Sequence, residues 1–145
     1  MKKYEQLPHP AELKIRSFGK DPQELFVNSA LAMTNYIYGD LHGDKAQVVP
    51  TRTDKIIITA TNIETLLIDW LAEILCLSDT YKRAYIKFDI DELSSDNAEI
   101  VAARIIAAVG SVKAVPKDDI KAVTYHELAI KKQNNIWQAT VVYDI

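Results

Sequence analysis

The chain has 145 residues, 48% apolar and 26% charged, with a net charge of −3 at neutral pH, which fits one domain, residues 1–145, with a core of ordinary globular composition. That mildly acidic balance gives no basis for broad nucleic-acid binding, which needs clustered Lys and Arg to neutralise phosphates. No run approaches the roughly 18 apolar residues of a membrane span, MKKYEQLPHP is not a secretory signal, and the lone Cys76 excludes an internal disulfide, so a soluble cytoplasmic protein is expected.

Residues 11–18, AELKIRSF, place Ala11, Leu13 and Ile15 on one face and Glu12, Lys14 and Arg16 on the other, the pattern of a half-buried strand. Gly19 turns the chain. Asp21 as cap, Pro22 at the first helical position and Glu24 then start a helix that carries Leu25, Phe26, Ser29, Ala30, Met33 and Ile37 at helical spacing and stops at Gly39. GDLHGDKAQ, 39–47, is a polar loop. The β-branched run KIIITA, 55–60, predicts a buried strand, and Thr61 with Glu64 forms a capping box for the next helix.

Ile63, Leu66, Leu67, Trp70, Leu71, Ile74 and Leu75 give that second helix a wide apolar stripe, and it is expected to be the most buried element. Cys76, in LAEILCL, reads as a small buried hydrophobe rather than a reactive thiol. YIKFDI (85–90), EIVAARIIAAV (99–109) and IKAVTYHELAI (120–130) predict strands, and KKQNN (131–135) a turn. In the last strand, WQATVVYDI, Trp137, Ala139, Val141, Tyr143 and Ile145 share one face; Gln138, Thr140, Val142 and Asp144 share the other. The pattern predicts an α+β domain with a largely antiparallel or mixed sheet and two main helices packed on one face.

Motifs for covalent catalysis are absent: no GxSxG, glycine-rich phosphate loop, CxxC or HExxH occurs. Of the three histidines, His42 reads as solvated, while His9 and His126 read as hydrogen-bonded structural residues before catalytic ones. Asp69 with Glu73, and Asp89 with Asp91, read as solvated faces rather than metal ligands. Asp144 and the terminal carboxylate of Ile145 differ, because a chain end cannot be spaced away from its neighbour. Two unit charges about 4 Å apart repel by roughly 4 kcal/mol at an effective dielectric near 20, and by only about 1 kcal/mol in water. A packed strand end would therefore need Lys, Arg or a metal cation beside it.

HPAELKIRSFG (9–19) resembles the N-terminal pattern of the archease family, and IKAVTYHEL (120–128) resembles that family's most specific motif. LLIDWLAEIL (66–75) matches its middle helix, and the closing Asp-Ile matches its chain end, so the resemblance spans the whole sequence. It implies a small α+β activator of an RtcB-type RNA ligase in tRNA splicing and RNA repair. Such a protein is not an enzyme, binds no nucleic acid stably by itself, and helps the ligase load guanylate and turn over repeatedly. The resemblance also implies a divalent cation, typically Ca²⁺ with Mg²⁺ or Mn²⁺ as alternatives, held by Glu12, Asp144 and the carboxylate of Ile145. That set is all oxygen and all anionic, as a hard cation prefers. Zinc would want a nitrogen or sulfur ligand; His9 could supply one, but it lies in the register of the apolar face.

The chain departs from the family pattern at two positions. Glu12 stands where the family has Asp, one methylene longer, so the ion shifts or the side chain folds back, which re-tunes affinity or selectivity. Pro10 replaces Thr and removes a hydroxyl and a backbone donor. Lys121, in the specific motif, is expected on a solvent face, where it could contact the ligase or a nucleotide phosphate; Tyr125 and His126 are expected to shape the site. Two other readings stay open: a small metal-dependent hydrolase using Glu12, Asp144 and His126, and a chaperone-like binding module with a sizeable exposed apolar patch.

Overall fold

The computed structural model describes residues 1–41, 49–95 and 103–145. In chain order the elements are β1 (Tyr4–Leu7), β2 (Leu13–Gly19), α1 (Pro22–Tyr38), β3 (Arg52–Ala60), α2 (Ile63–Tyr81), β4 (Arg83–Ser95), β5 (Ala103–Lys113), β6 (Ala122–Val123), β7 (Ala129–Gln133) and β8 (Ile136–Asp144). The α+β class holds, and every strand pairing is antiparallel among the described residues. The strands divide between two sheets, one in the order β1-β2-β8-β6 with β7 also on β8, the other β3-β5-β4. Each helix touches both: α1 contacts β2 and β4, and α2 contacts β3, β4 and β6. No helix among the described residues is long and apolar enough to cross a membrane.

The start of α1 follows its local signal. Asp21 Oδ1 accepts from the Glu24 N–H at 2.8 Å, and the Glu24 carboxylate reaches back to the Lys20 N–H at 3.0 Å, so two of the donors a helix start leaves bare are satisfied. Gly39 ends the helix at φ 79°. The start of α2 differs from the Thr61 box: Asn62 is the cap, its Oδ1 accepting from Thr65 N–H at 2.8 Å. Trp70 is fully buried, donates to the Phe26 carbonyl at 3.1 Å and packs edge-on against Phe88. The indole is thus apolar throughout with its one donor satisfied.

Two expectations fail for a shared reason: local patterning does not say which face of an element the rest of the chain covers. In β3 only one face is packed, so Ile56 is 3% exposed while Ile57 is 54% exposed. In α2 the buried arc runs through Leu71, Ile74, Leu75 and the polar Ser78, and Cys76 lies off it, exposed rather than buried. The predicted strand 120–130 is broken into β6 and β7 by a turn at 124–128. Thr124 anchors that turn, its N–H and Oγ1 both donating to the Val142 carbonyl, at 3.1 and 2.8 Å, while Leu128 N–H donates to the Tyr125 carbonyl. The predicted KKQNN turn contracts to Asn134 and Asn135, at φ 53° and 62°. Two successive left-handed residues make the tight hairpin that Asn tolerates.

The inner face of the smaller sheet carries a polar network. Arg52 grips Asp54 with two nitrogens, and the Tyr85 hydroxyl donates to the same carboxylate at 2.6 Å. The Arg52 side chain lies over the Tyr81 ring at 3.6 Å. Arg83, 7% exposed, donates to Ser111 Oγ, to the Ser111 carbonyl and to Thr51 Oγ1.

Candidate functional site

The pairing of β2 with β8 decides where the chain ends. Leu13 opposes Tyr143, and Lys14 opposes Val142. Leu13 and Tyr143 enter the core, each 1% exposed, so Lys14 and Arg16 lie on the opposite, outer face, where Arg16 Nε donates to Thr140 Oγ1. Glu12 immediately precedes β2 and Asp144 closes β8, so the antiparallel pairing sets both at the same end of the two strands. On its other side Asp144 pairs with Ala122 of β6, and its carbonyl accepts from the Lys121 N–H at 2.7 Å. Glu12, Asp144, the terminal carboxylate and Lys121 are thus gathered at one end of the five-stranded sheet.

That end is open to water. Asp144 and Lys121 are exposed, and Ile145 is 43% exposed. The anions accordingly repel in a high-dielectric setting, by about 1 kcal/mol or less per pair. Lys121 also lines a shallow groove with Leu75, Cys76, Asp79 and Thr80 of α2. Of the other acid pairs, Glu73, Asp89 and Asp91 are exposed, and Asp69 is half-buried on α2. His42 lies outside the described residues.

Beside the anionic end sits a group that periodicity did not reveal. His9 is largely enclosed, with its Nε2 3.1 Å from Glu127 Oε2. The ring's other nitrogen, Nδ1, is buried without a hydrogen-bond partner, 3.9 Å from Glu12 Oε1. His126, expected as a hydrogen-bonded structural histidine, is largely exposed and brings its Nε2 only to 3.6 Å from the same Glu127 oxygen. Lys14 Nζ takes the second oxygen, Oε1, at 3.4 Å. The hydrogen bond from His9, then the Lys14 charge, hold the Glu127 carboxyl below the usual glutamate range.

Glu127 was missed because a continuous strand through 120–130 would send His126 and Glu127 to opposite faces. Its backbone instead takes φ 55°, a left-handed conformation that residues other than Gly, Asn and Asp seldom adopt. This turn swings both side chains to one side. The only local signal was the adjacency of His and Glu in YHEL; the third member, His9, is more than a hundred positions earlier in the sequence.

The Archease protein family (MTH1598/TM1083) matches over residues 4–145. A protein named archease from Methanosarcina barkeri is 36% identical over 148 residues, covering 99% of this chain and 97% of that one. One from Pyrococcus abyssi is 27% identical, with 100% of each covered. The solution structure of Methanobacterium thermoautotrophicum protein 1598 superposes with a TM-score of 0.78 at 26% identity, covering 100% of each chain. A Thermotoga maritima archease, described as a possible chaperone, shares the fold at a TM-score of 0.59 and 17% identity, over 96% of this chain and 94% of that one.

Proposed function

The chain belongs to the archease family, and from that premise we propose that it is a non-enzymatic, cytoplasmic activator of an RtcB-type RNA ligase in tRNA splicing and RNA repair. What supports the reading is that β2 and β8 pair so that Glu12, just before β2, and Asp144 with Ile145, at the end of β8, lie at one sheet end, with the Lys121 N–H on the Asp144 carbonyl. These carboxylates would hold a hard divalent cation, Ca²⁺ before Mg²⁺ or Mn²⁺, with water completing the shell. The donor set suits such an ion by class: three anionic oxygen groups, accessible to water, at the ends of two paired strands. When bound, such an ion would supply positive charge that offsets the carboxylates at the sheet end.

The chain's own residues do the rest. The Lys121 N–H and the β6–β8 pairing fix the backbone of Asp144, so its carboxylate is presented from a rigid strand end rather than from a free tail. Lys121 itself is exposed and available to a phosphate or an acidic surface of the ligase. Neither residue is offered as a group that forms or breaks a bond; stimulation arises from docking that favours the guanylate-loading conformation of the ligase.

The test is multiple-turnover RNA joining by the cognate ligase. Substoichiometric addition of this protein should raise product formation over many turnovers, and the protein alone should join nothing. Equal ligase turnover with and without it, across several ratios and with Ca²⁺ present, would refute the activator reading.

A further inference from the structure

We propose that His9, His126 and Glu127 form a second metal site, for a borderline divalent ion such as zinc, with Glu12 as the partner that orients His9. This proposal is independent of the ligase reading; its donor atoms differ from those of the hard-cation site, and the one residue common to both, Glu12, serves here only to orient His9. One donor atom from each of the three residues lies within 4.8 Å of the others. Two imidazoles and one carboxylate are the donors zinc and cobalt prefer over calcium, which favours oxygen alone.

The spacing is close to what coordination needs. Metal–ligand bonds of about 2.0–2.1 Å at tetrahedral angles separate ligand atoms by roughly 3.3–3.5 Å. His9 Nε2 and His126 Nε2 lie 3.1 and 3.6 Å from Glu127 Oε2. The gap between the two rings, whose centroids are 6.4 Å apart at 85°, closes by rotation of the exposed His126. Because His126 and Glu127 face solvent, at least one coordination position stays open to water.

The buried Nδ1 of His9 supplies the second, separate observation. With the proton on Nε2 and donated to Glu127, Nδ1 is a lone pair facing Glu12, a carboxylate, and neither can donate to the other. Coordination through Nε2 requires the other neutral tautomer. The proton then sits on Nδ1, and a shift of Glu12 that brings its Oε1 in from 3.9 Å to hydrogen-bond distance completes the carboxylate–histidine–metal arrangement that fixes ring orientation. A neutral ring changes tautomer through solvent with no net proton gained or lost. The longer Glu12 side chain, in place of the family's Asp, reaches toward His9. Lys14 opposes the site, since its ammonium occupies Glu127 Oε1 where an incoming cation would be drawn.

The experiment is a Co²⁺ titration of untagged full-length protein carrying Cys76→Ser, followed by visible absorption, with Zn²⁺ as competitor. The Cys76→Ser change removes the exposed thiol as a rival ligand. One equivalent should bind with the intense absorption of a four- or five-coordinate site and be displaced by Zn²⁺ but not by excess Ca²⁺. His126→Ala and Glu127→Gln, both at exposed positions, should each weaken Co²⁺ at least tenfold, and Glu12→Gln about tenfold. Lys14→Gln should tighten it severalfold, and Asp144→Asn should change it less than twofold. Nitrogen shifts of His9 should move from the Nε2–H to the Nδ1–H pattern as Zn²⁺ is added. Affinity that stays within twofold in both His126→Ala and Glu127→Gln, or that collapses in Asp144→Asn, would overturn the assignment. Neither result bears on the activator reading, which turns on ligase turnover.

Discussion

Replacing Asp144 with Asn should change the sign of its effect on stability when metal is added. Without metal the substitution removes a repulsion. Asp144 and the terminal carboxylate are chain neighbours in both folded and unfolded states, so their mutual repulsion largely cancels. Only folding brings Glu12, the residue before β2, to the sheet end where Asp144 closes β8. Cross-strand neighbours stand about 5 Å apart, which in water corresponds to about 0.8 kcal/mol of repulsion. For a domain of this size 1 kcal/mol shifts the melting temperature by about 3 °C, so Asp144→Asn in chelator should melt about 2 °C higher than wild type. Calcium at a hundred times its dissociation constant adds about 2.7 kcal/mol to a protein that binds it, or about 8 °C. If the variant loses that gain, it should melt about 6 °C below wild type in calcium. Circular dichroism melts in chelator and in millimolar Ca²⁺ test this directly. A variant that keeps the same rank against wild type in both buffers would refute the three-carboxylate site. Adding two glycines after Ile145 moves the terminal charge with little bulk and should likewise abolish the calcium gain.

Lys121→Ala should reduce stimulation of repeated ligation severalfold while leaving the melting temperature within about 1 °C, since the side chain is exposed; unchanged stimulation would remove Lys121 from the mechanism. Tyr85→Phe should cost about 1.5–3 kcal/mol near neutral pH, because it deletes a 2.6 Å hydrogen bond to an ionised carboxylate. Burial, then the Asp54 hydrogen bond, raise Tyr85 from 10.0 to about 12. Its contribution is therefore complete below pH 10 and declines as pH rises toward 12, so the gap between wild type and Tyr85→Phe in pH-dependent melts should narrow over that window. Asp54 is shifted the other way, held below 3.8 chiefly by its hydrogen bond to Arg52, so acid rather than alkali removes its contribution and Asp54→Asn should flatten the acid limb. Gly19→Ala should destabilise by about 1–3 kcal/mol, because a Cβ there would stand 2.4 Å from the Leu25 backbone nitrogen of α1; a melt within 1 °C of wild type would count against that close approach.

What the sequence determined by itself was whatever acts over one or two turns of chain. Asp21, Pro22 and Glu24 start α1 through groups within a few residues of one another. The stripe from Ile63 to Leu75 faces the core because helical geometry alone gathers it on one side. The alternation of β2 and β8 assigned Glu12 and Asp144 to polar faces before any pairing was known. Tertiary structure decided what lies opposite those faces. Cys76 and Ile57 are exposed because no element among the described residues covers their side, while Ser78 is buried and donates to the Arg83 carbonyl. Glu12 and Asp144 share one sheet end because β2 and β8 pair across more than a hundred residues. Glu127 joins His9 because one left-handed residue reverses the direction that strand periodicity would assign it. Helix caps and amphipathic faces are read from short-range sterics and hydrogen bonds, whereas register and coverage are set by contacts that the chain makes only when it closes on itself.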